Sequence, residues 1–285
     1  MKRSLALLYN YALQQTTLNR RPPTACPHST MPIALPFHTL FLIALAGLYA
    51  GTQNALAGGG SFITFPSLLL AGLNPLAANM SSTIALFPSQ MTSAFVGRRL
   101  VSGIGPVKFR SLFLTSIIGG ALGAWLLLST PVSVFTRLVP WLVLFATSVF
   151  AWGTFFRKPL SEEQIGHAQL PSAAVLLIQG GIAVYGGYFG GGIGFLMLAA
   201  LTIAGQQVRT AGATKNALAM TMNAVAVAIF ACSPLINWSA VIALGIGGIG
   251  GGFLGGWLMH RLPEKLLRRF VVLVGAALTV WLFVR

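Results

Sequence analysis

The octapeptide Gly119-Gly120-Ala121-Leu122-Gly123-Ala124-Trp125-Leu126 returns 132 residues later as Gly251-Gly252-Phe253-Leu254-Gly255-Gly256-Trp257-Leu258, with six of its eight positions unchanged. Pro131 then matches Pro263 at the same spacing. Two glycine triplets, Gly58-Gly59-Gly60 and Gly190-Gly191-Gly192, also lie 132 apart. One inserted residue then moves the spacing to 133, which sets Gly72 on Gly205, Ala78 on Ala211 and Ser81 on Thr214. Glycine matches that reflect composition alone would scatter over many spacings. Collinear blocks at almost one spacing indicate two copies of one unit.

The 285 residues around these blocks are 55% hydrophobic and 7% charged, with a mean hydropathy of +0.81. A soluble domain carries roughly 25% charged residues, so this chain lacks the polar coat needed to face water on all sides. The sequence therefore predicts an all-α, polytopic membrane protein, multi-pass in the inner (plasma) membrane with the lipid bilayer as its surroundings. Eighteen basic against three acidic side chains give +15. In a soluble protein that excess would suggest nucleic acid, but at the ends of membrane spans it is orientation charge, and no nucleic-acid partner is expected. The acids are Glu162, Glu163 and Glu264, too few and too peripheral for paired-carboxylate hydrolysis, a carboxylate metal cage or an intramembrane proton relay. Cys26 and Cys232 make neither a disulfide framework nor a metal site. Ser89 and Ser233 lack a base–acid pair. No catalytic residue, metal or cofactor is expected.

About 20 apolar residues cross the hydrocarbon core. Full-length candidates cover residues 36–56, 76–97, 106–128, 132–156, 171–189, 210–231, 236–259 and 266–284. Two shorter apolar pieces, 61–73 and 193–205, each begin directly after a glycine triplet and reach only about 20 Å. They read as short or broken helices. Residues 1–30 differ from the rest: they form a basic leader with Lys2, Arg3, Arg20, Arg21 and no acid. Their apolar run is too short to cross, and translation is expected to start at Met31, outside which the charge falls to +11. The predicted organisation is a first transmembrane repeat over 31–158, a cytoplasmic linker over 159–170 and a second repeat over 171–285.

Charge sets the orientation of the two copies. Arg98, Arg99, Lys108 and Arg110 flank the 97–106 loop, whereas its partner loop at 232–236 is uncharged. Conversely, His260, Arg261, Lys265, Arg268 and Arg269 crowd a loop whose first-half partner, 129–137, holds only Arg137. The positive-inside rule then puts equivalent loops on opposite sides of the membrane. That requires an odd number of crossings per half, most simply five plus five inverted repeats with the short pieces counted. Inverted repeats built around interrupted helices are the architecture of many secondary transporters, which bind substrate near the midplane.

In such a bundle the uncharged polar residues carry the information. Gln53 and Asn54 precede the first triplet, and Asn79, Ser81, Ser82, Thr83, Ser89 and Gln90 follow the first short helix. The second half supplies Tyr185, Tyr188, Thr210, Thr214, Lys215, Asn216 and Asn223. Thr83 to Gln90 and Asn216 to Asn223 are both seven apart, two turns on one helix face. No acid lies in any span to balance a permeating cation. Glycine triplets free backbone N–H groups, and helices starting at Ser61 and Ile193 turn their positive ends to the break. A small anionic substrate follows. The candidate binding residues are Asn54, Gly59, Gly60, Ser81, Thr83, Gly191, Gly192, Thr214, Lys215, Asn216 and Asn223.

The stretch from Ala57 to Leu73, with Ala78-Asn79-Met80-Ser81-Ser82-Thr83 and Ala211-Gly212-Ala213-Thr214-Lys215-Asn216, resembles the signatures of the TauE/SafE family of sulfite and organosulfur exporters. The resemblance runs from about residue 37 to 284. It implies a bacterial-type permease that moves sulfur-containing or related small anions, often outward, with sulfite, thiosulfate and sulfonates all open. Ser81-Ser82 departs from the Thr-Ser or Thr-Asn more usual there. Three rivals stand beside an exporter: a channel or permease for another anion or neutral metabolite, an intramembrane enzyme, and a non-transporting partner subunit. A homo-oligomer is compatible with all of them.

Overall fold

The computed structural model describes residues 35–56, 59–155, 170–258 and 264–284, all within the second of two compact units, Pro32–Arg285. The basic leader, Gly58, most of the 159–170 linker and the basic loop around His260 and Arg261 lie outside the described residues.

Among the described residues ten α-helices follow one another: α1 (Phe37–Leu56), α2 (Ser61–Leu70), α3 (Pro75–Gly97), α4 (Phe109–Ser129), α5 (Val132–Phe155), α6 (Ser172–Tyr188), α7 (Ile193–Ile203), α8 (Val208–Phe230), α9 (Trp238–Leu258) and α10 (Glu264–Val284). A 3-10 turn, Arg98–Leu100, closes α3. Among the described residues, three helices are long and apolar enough to cross a bilayer by length and composition, over Phe109–Ser129, Val132–Gly153 and Arg209–Phe230. Helices α1 and α3 have the length but bury polar groups, among them Gln53, Asn79, Ser81 and Ser82, and α6 stops at 17 residues before its glycine triplet.

The short helices end earlier than their apolar runs. Gly72 (φ 91°) and Gly205 (φ 98°) take the left-handed conformation and close Schellman caps. Leu73 N–H donates to Leu68 O and Gly72 N–H to Leu69 O; Gln206 N–H donates to Leu201 O and Gly205 N–H to Thr202 O. Both caps use the same pair of bonds at positions 133 apart, and a side chain there would meet the left-handed penalty. Helix α2 is left with 10 residues and α7 with 11, about 15 Å each and half a bilayer.

Side packing follows the glycines. α1 lies along α9, and α4 along α6. A Cβ built on Gly47 would overlap the Leu244 carbonyl oxygen, one on Gly247 that of Ala44, and one on Gly251 that of Leu48. In the other pair a Cβ on Gly123 would overlap Val184 O and one on Gly187 would overlap Gly120 O. Such contact lets backbones approach where lipid tails give no hydrophobic drive between helices. Each pair is also stitched by a side chain: Thr52 Oγ1 donates to Gly251 O at 3.0 Å, and Gln179 Nε2 to Ser116 Oγ at 2.9 Å. The remaining contacts come in matched sets, α3 with α9 and α8 with α4, α2 with α3 and α7 with α8, α1 with α2 and α6 with α7. Helices α3 and α8 cross each other, as do α5 and α10. Outward faces carry exposed Ile118, Leu122, Trp125, Trp141, Ile246 and Phe253, an apolar surface suited to lipid. The protein is a helical membrane protein.

Candidate functional site

Both breaks are held by the helix that precedes them. Asn54, at the end of α1, accepts a hydrogen bond on Oδ1 from Gly60 N–H at 3.2 Å. Tyr185, near the end of α6, donates its hydroxyl to Gly191 O at 2.8 Å. Gly59 (φ 85°), Gly190 (φ 77°) and Gly192 (φ 74°) supply the left-handed turns between the paired helices. The chain therefore reverses in the interior, and the N-termini of α2 and α7 come to face shared space.

Two adjoining cavities occupy that space. The inner one, about 30 Å³, is lined by Ser61, Asn79, Ser82, Thr83, Gln90 and Asn223, with Phe65, Phe189, Val143 and Leu278 closing it. The second, about 70 Å³, is lined by Asn54, Gly59, Ser61, Gln90, Gly192, Ile193, Gly194, Lys215 and Asn216. Ser61, Gln90 and Gly190 belong to both. A methyl group built on Gly194 would lie 3.8 Å from Lys215 Nζ, so the ammonium sits over the first turn of α7. Each helix N-terminus presents roughly half a positive charge. The ends of α2 and α7 together with Lys215 thus raise the potential of the second cavity in one sense.

Part of the lining of one cavity corresponds to part of the lining of the other. Ser61, Ser82, Thr83 and Leu86 line the inner one, and the residues 133 further on, Gly194, Lys215, Asn216 and Ala219, line the second. At the junction Asn223 Nδ2 donates to Gln90 Oε1 at 2.7 Å, and these two residues are themselves 133 apart. Phe62 and Phe195, also 133 apart, both pack on Phe150, with ring centroids 5.6 and 4.0 Å away. The first half's version of the site is lined by hydroxyls where the second half carries a cation, Ser82 against Lys215.

Of the residues expected to bind, Asn54, Gly59, Thr83, Gly191, Gly192, Lys215, Asn216 and Asn223 line these cavities. Gly60, Ser81 and Thr214 do not. Gly60 is buried against Ala50, where a Cβ would stand 2.7 Å from the carbonyl oxygen. Ser81 is wholly buried, on a face of α3 turned away from the cavities. Thr214 is also wholly buried, and its hydroxyl accepts from Gln206 Nε2 at 3.2 Å and from Ser102 N–H at 3.3 Å. It ties α8 to the loop after the 3-10 turn. Ser61 and Ser93, which the sequence reading does not single out, also line the cavities, as do Ser82 and Gln90 from the polar cluster it names without counting them among the binding residues. The signal for Gln90 was in hand, since it is the counterpart of Asn223. Ser61, first after its triplet, occupies the position that Gly194 occupies in the second half.

Two interrupted helices framing a central polar cavity define a polytopic membrane protein of the architecture that permeases use. The profile of the sulfite exporter TauE/SafE family matches residues 43–282. The chain belongs to that family. Similar proteins include a "Probable membrane transporter protein" of Haemophilus influenzae, 27% identical over 242 residues that cover 84% of this chain and 92% of the relative. The "Probable membrane transporter protein ORF9" of a Sinorhizobium species is 30% identical over 252 residues, 86% of this chain and 93% of the relative. "Probable membrane transporter protein YfcA" of Escherichia coli K12 is 24% identical over 254 residues, 85% and 92%. No solved structure gives a significant match.

Proposed function

We propose that the protein is a secondary transporter of the inner membrane that exports a small sulfur-containing anion, such as sulfite, thiosulfate or an organosulfonate, by alternating access. The observation that carries this is the convergence of two helix N-termini and Lys215 on one polar cavity, in a chain whose spans contain no acid. Relatives named as membrane transporters and a family named for sulfite export support the same reading. Substrate oxygens would accept from the first-turn amides of α7, from the ammonium and from the Asn216 amide, with Asn54 on the opposite wall. Binding would release the anion's hydration shell in exchange for donors already in place.

The two halves act as inverted repeats. Their matched packing partners, the paired Schellman caps and the Gln90–Asn223 bond between equivalent residues support a two-fold relation with α3 and α8 on the axis. The basic loops near 98–110 and 260–269 against their uncharged or nearly uncharged counterparts support the inversion, with those basic loops in the cytoplasm. Rocking one half against the other about the α3–α8 crossing would expose the cavity to each side in turn. The membrane potential drives an anion outward with about 2.3 kcal/mol per charge per 100 mV.

Purified protein in liposomes, assayed for uptake of sulfite, thiosulfate and methanesulfonate against sulfate and chloride, tests the proposal. Saturable flux of a sulfur anion with counterflow is expected. Flux that neither saturates nor shows counterflow would make the protein a channel, and no flux from folded protein would remove the transport reading.

A further inference from the structure

Tyr188 and Phe189, just before the second glycine triplet, are held by residues of the first half. Asn79 Nδ2 donates to the Tyr188 carbonyl at 3.1 Å, in the last turn of α6, where intrahelical donors run out. Phe65 meets Phe189 edge-on with ring centroids 5.7 Å apart, and Phe135 meets Tyr188 in the same way at 5.8 Å. The Tyr188 hydroxyl donates to Thr130 Oγ1 at 3.4 Å. Asn79, Phe65 and Phe189 are buried, and all three line the inner cavity. A carbonyl bond and a ring pair thus close that cavity across the boundary between the halves, toward the Pro75 end of α3. The corresponding positions in the second half lack these groups. The residue 133 on from Asn79 is Gly212, where a Cβ would meet nothing within 4 Å, and the one 133 on from Phe65 is Leu198. Gln206 and Thr214 also join the halves, through Ser102 and Gly103, yet none of those four lines either cavity.

We infer that Tyr188 and Phe189 form the outer gate of the pathway, that Asn79 and Phe65 latch it, and that the resting carrier faces the cytoplasm. The inference rests on the transport reading, and the outer side follows from placing the basic loops in the cytoplasm. When inverted repeats rock against each other, each half takes up in the opposite-facing state the arrangement the other half has now. Groups present at one end and absent from the equivalent end therefore bias the two states, because only one of them gains their contacts. Asn79 and Phe65 favour the closed outer side, and Gly212 and Leu198 offer no matching hold on the inner side. A carrier biased in this way waits open to the side from which an exporter loads. One net hydrogen bond shifts such an equilibrium about fivefold, and an edge-on ring pair shifts it about two- to tenfold.

The test is thiol labelling from each face of the membrane. Cys26 and Cys232 are replaced by Ser, and Ser61→Cys, at a position that lines both cavities, reports access. A membrane-impermeant methanethiosulfonate is applied to spheroplasts, which present the outer face, and to inside-out vesicles, which present the inner face. The parent should label about tenfold or more faster from the inner face. Asn79→Ala should raise the outer rate about fivefold. Phe65→Leu, which keeps an apolar side chain in the core, should raise it about two- to tenfold. The inner rate should stay within about twofold of the parent in both, since the inward-facing state remains the major one. Gly212→Ala should change neither rate. A parent that labels as fast from the outside overturns the inward-facing resting state, and a rise from both faces together in the variants overturns the latch. An unchanged outer rate in protein that transports sulfite in liposomes overturns the latch and leaves the transport reading standing. A faster outer rate in protein that carries no anion keeps the gate and overturns the transport reading.

Discussion

Replacing Lys215 with Gln should weaken anion binding far more than it disturbs the fold. An anion in the cavity of about 70 Å³ would lie roughly 4 Å from the ammonium, where two unit charges at an effective dielectric of about 20 attract by about 4 kcal/mol. Part of that is offset by the water both ions give up, and hydrogen bonds to charged groups measure about 1.5–3 kcal/mol net. A loss near 2 kcal/mol corresponds to a roughly 30-fold rise in the half-saturation constant. Glutamine keeps a donor and most of the stem, so the change isolates charge. Lys215→Arg, which keeps the charge, should stay within about threefold of the parent if the fork is accommodated. The assay is initial sulfite flux into liposomes over a concentration series, with melting temperature in detergent as the control for folding. A half-saturation constant within twofold of the parent, at unchanged maximal flux, would refute the placement of the anion beside Lys215. A large fall in melting temperature would instead make the residue structural.

Thr214→Val and Asn216→Ala, two residues apart, should separate stability from binding. The first removes the hydroxyl that holds the 101–103 loop and should cost about 1–2 kcal/mol of stability, read as a lower melting temperature. The second should mainly raise the half-saturation constant, about fivefold or more. Gly247→Val pushes a side chain onto the Ala44 carbonyl and should cost about 1–3 kcal/mol, whereas Gly252→Ala on the same helix meets open space and should be neutral or stabilising by up to about 1 kcal/mol, both by thermal unfolding. Gln90→Ala strands the buried Asn223 amide and should destabilise by about 1–3 kcal/mol. The Gln90→Ala/Asn223→Ala double variant should lose less than the sum of the two singles, and strict additivity in that cycle would show that the observed bond carries no coupling.

Helix positions were legible because membrane crossing imposes a composition rule on every span. The predicted 132–156 and 236–259 correspond to Val132–Phe155 and Trp238–Leu258. The breaks were legible because glycine triplets interrupt apolar runs, and the repeat was legible because equivalent backbone strain demands glycine at equivalent places, as at Gly72 and Gly205. The predicted 36–56 and 76–97 correspond to Phe37–Leu56 and Pro75–Gly97, where polar cavity residues dilute the apolar composition. The sequence puts Thr214 among the binding residues as the counterpart of Ser81, beside Lys215 and Asn216. Adjacent residues on a helix point about 100° apart, so one can face the cavity and the next a loop.

The sequence by itself determined a helical membrane protein with two related halves, a broken helix in each, and spans without acidic groups. These are consequences of lipid solvation and backbone geometry, which act locally and leave a mark at every residue. Only the tertiary structure decided which polar residues share a cavity. It brought Gln90 to Asn223 across the whole length of a repeat, set Ser82 and Lys215 as counterparts in adjoining cavities, and withdrew Ser81, Gly60 and Thr214 into packing. Those outcomes depend on helix rotation and on the close approach of α1 to α9 and α4 to α6. Both are fixed by contacts between residues far apart in the chain, where local pattern carries no information.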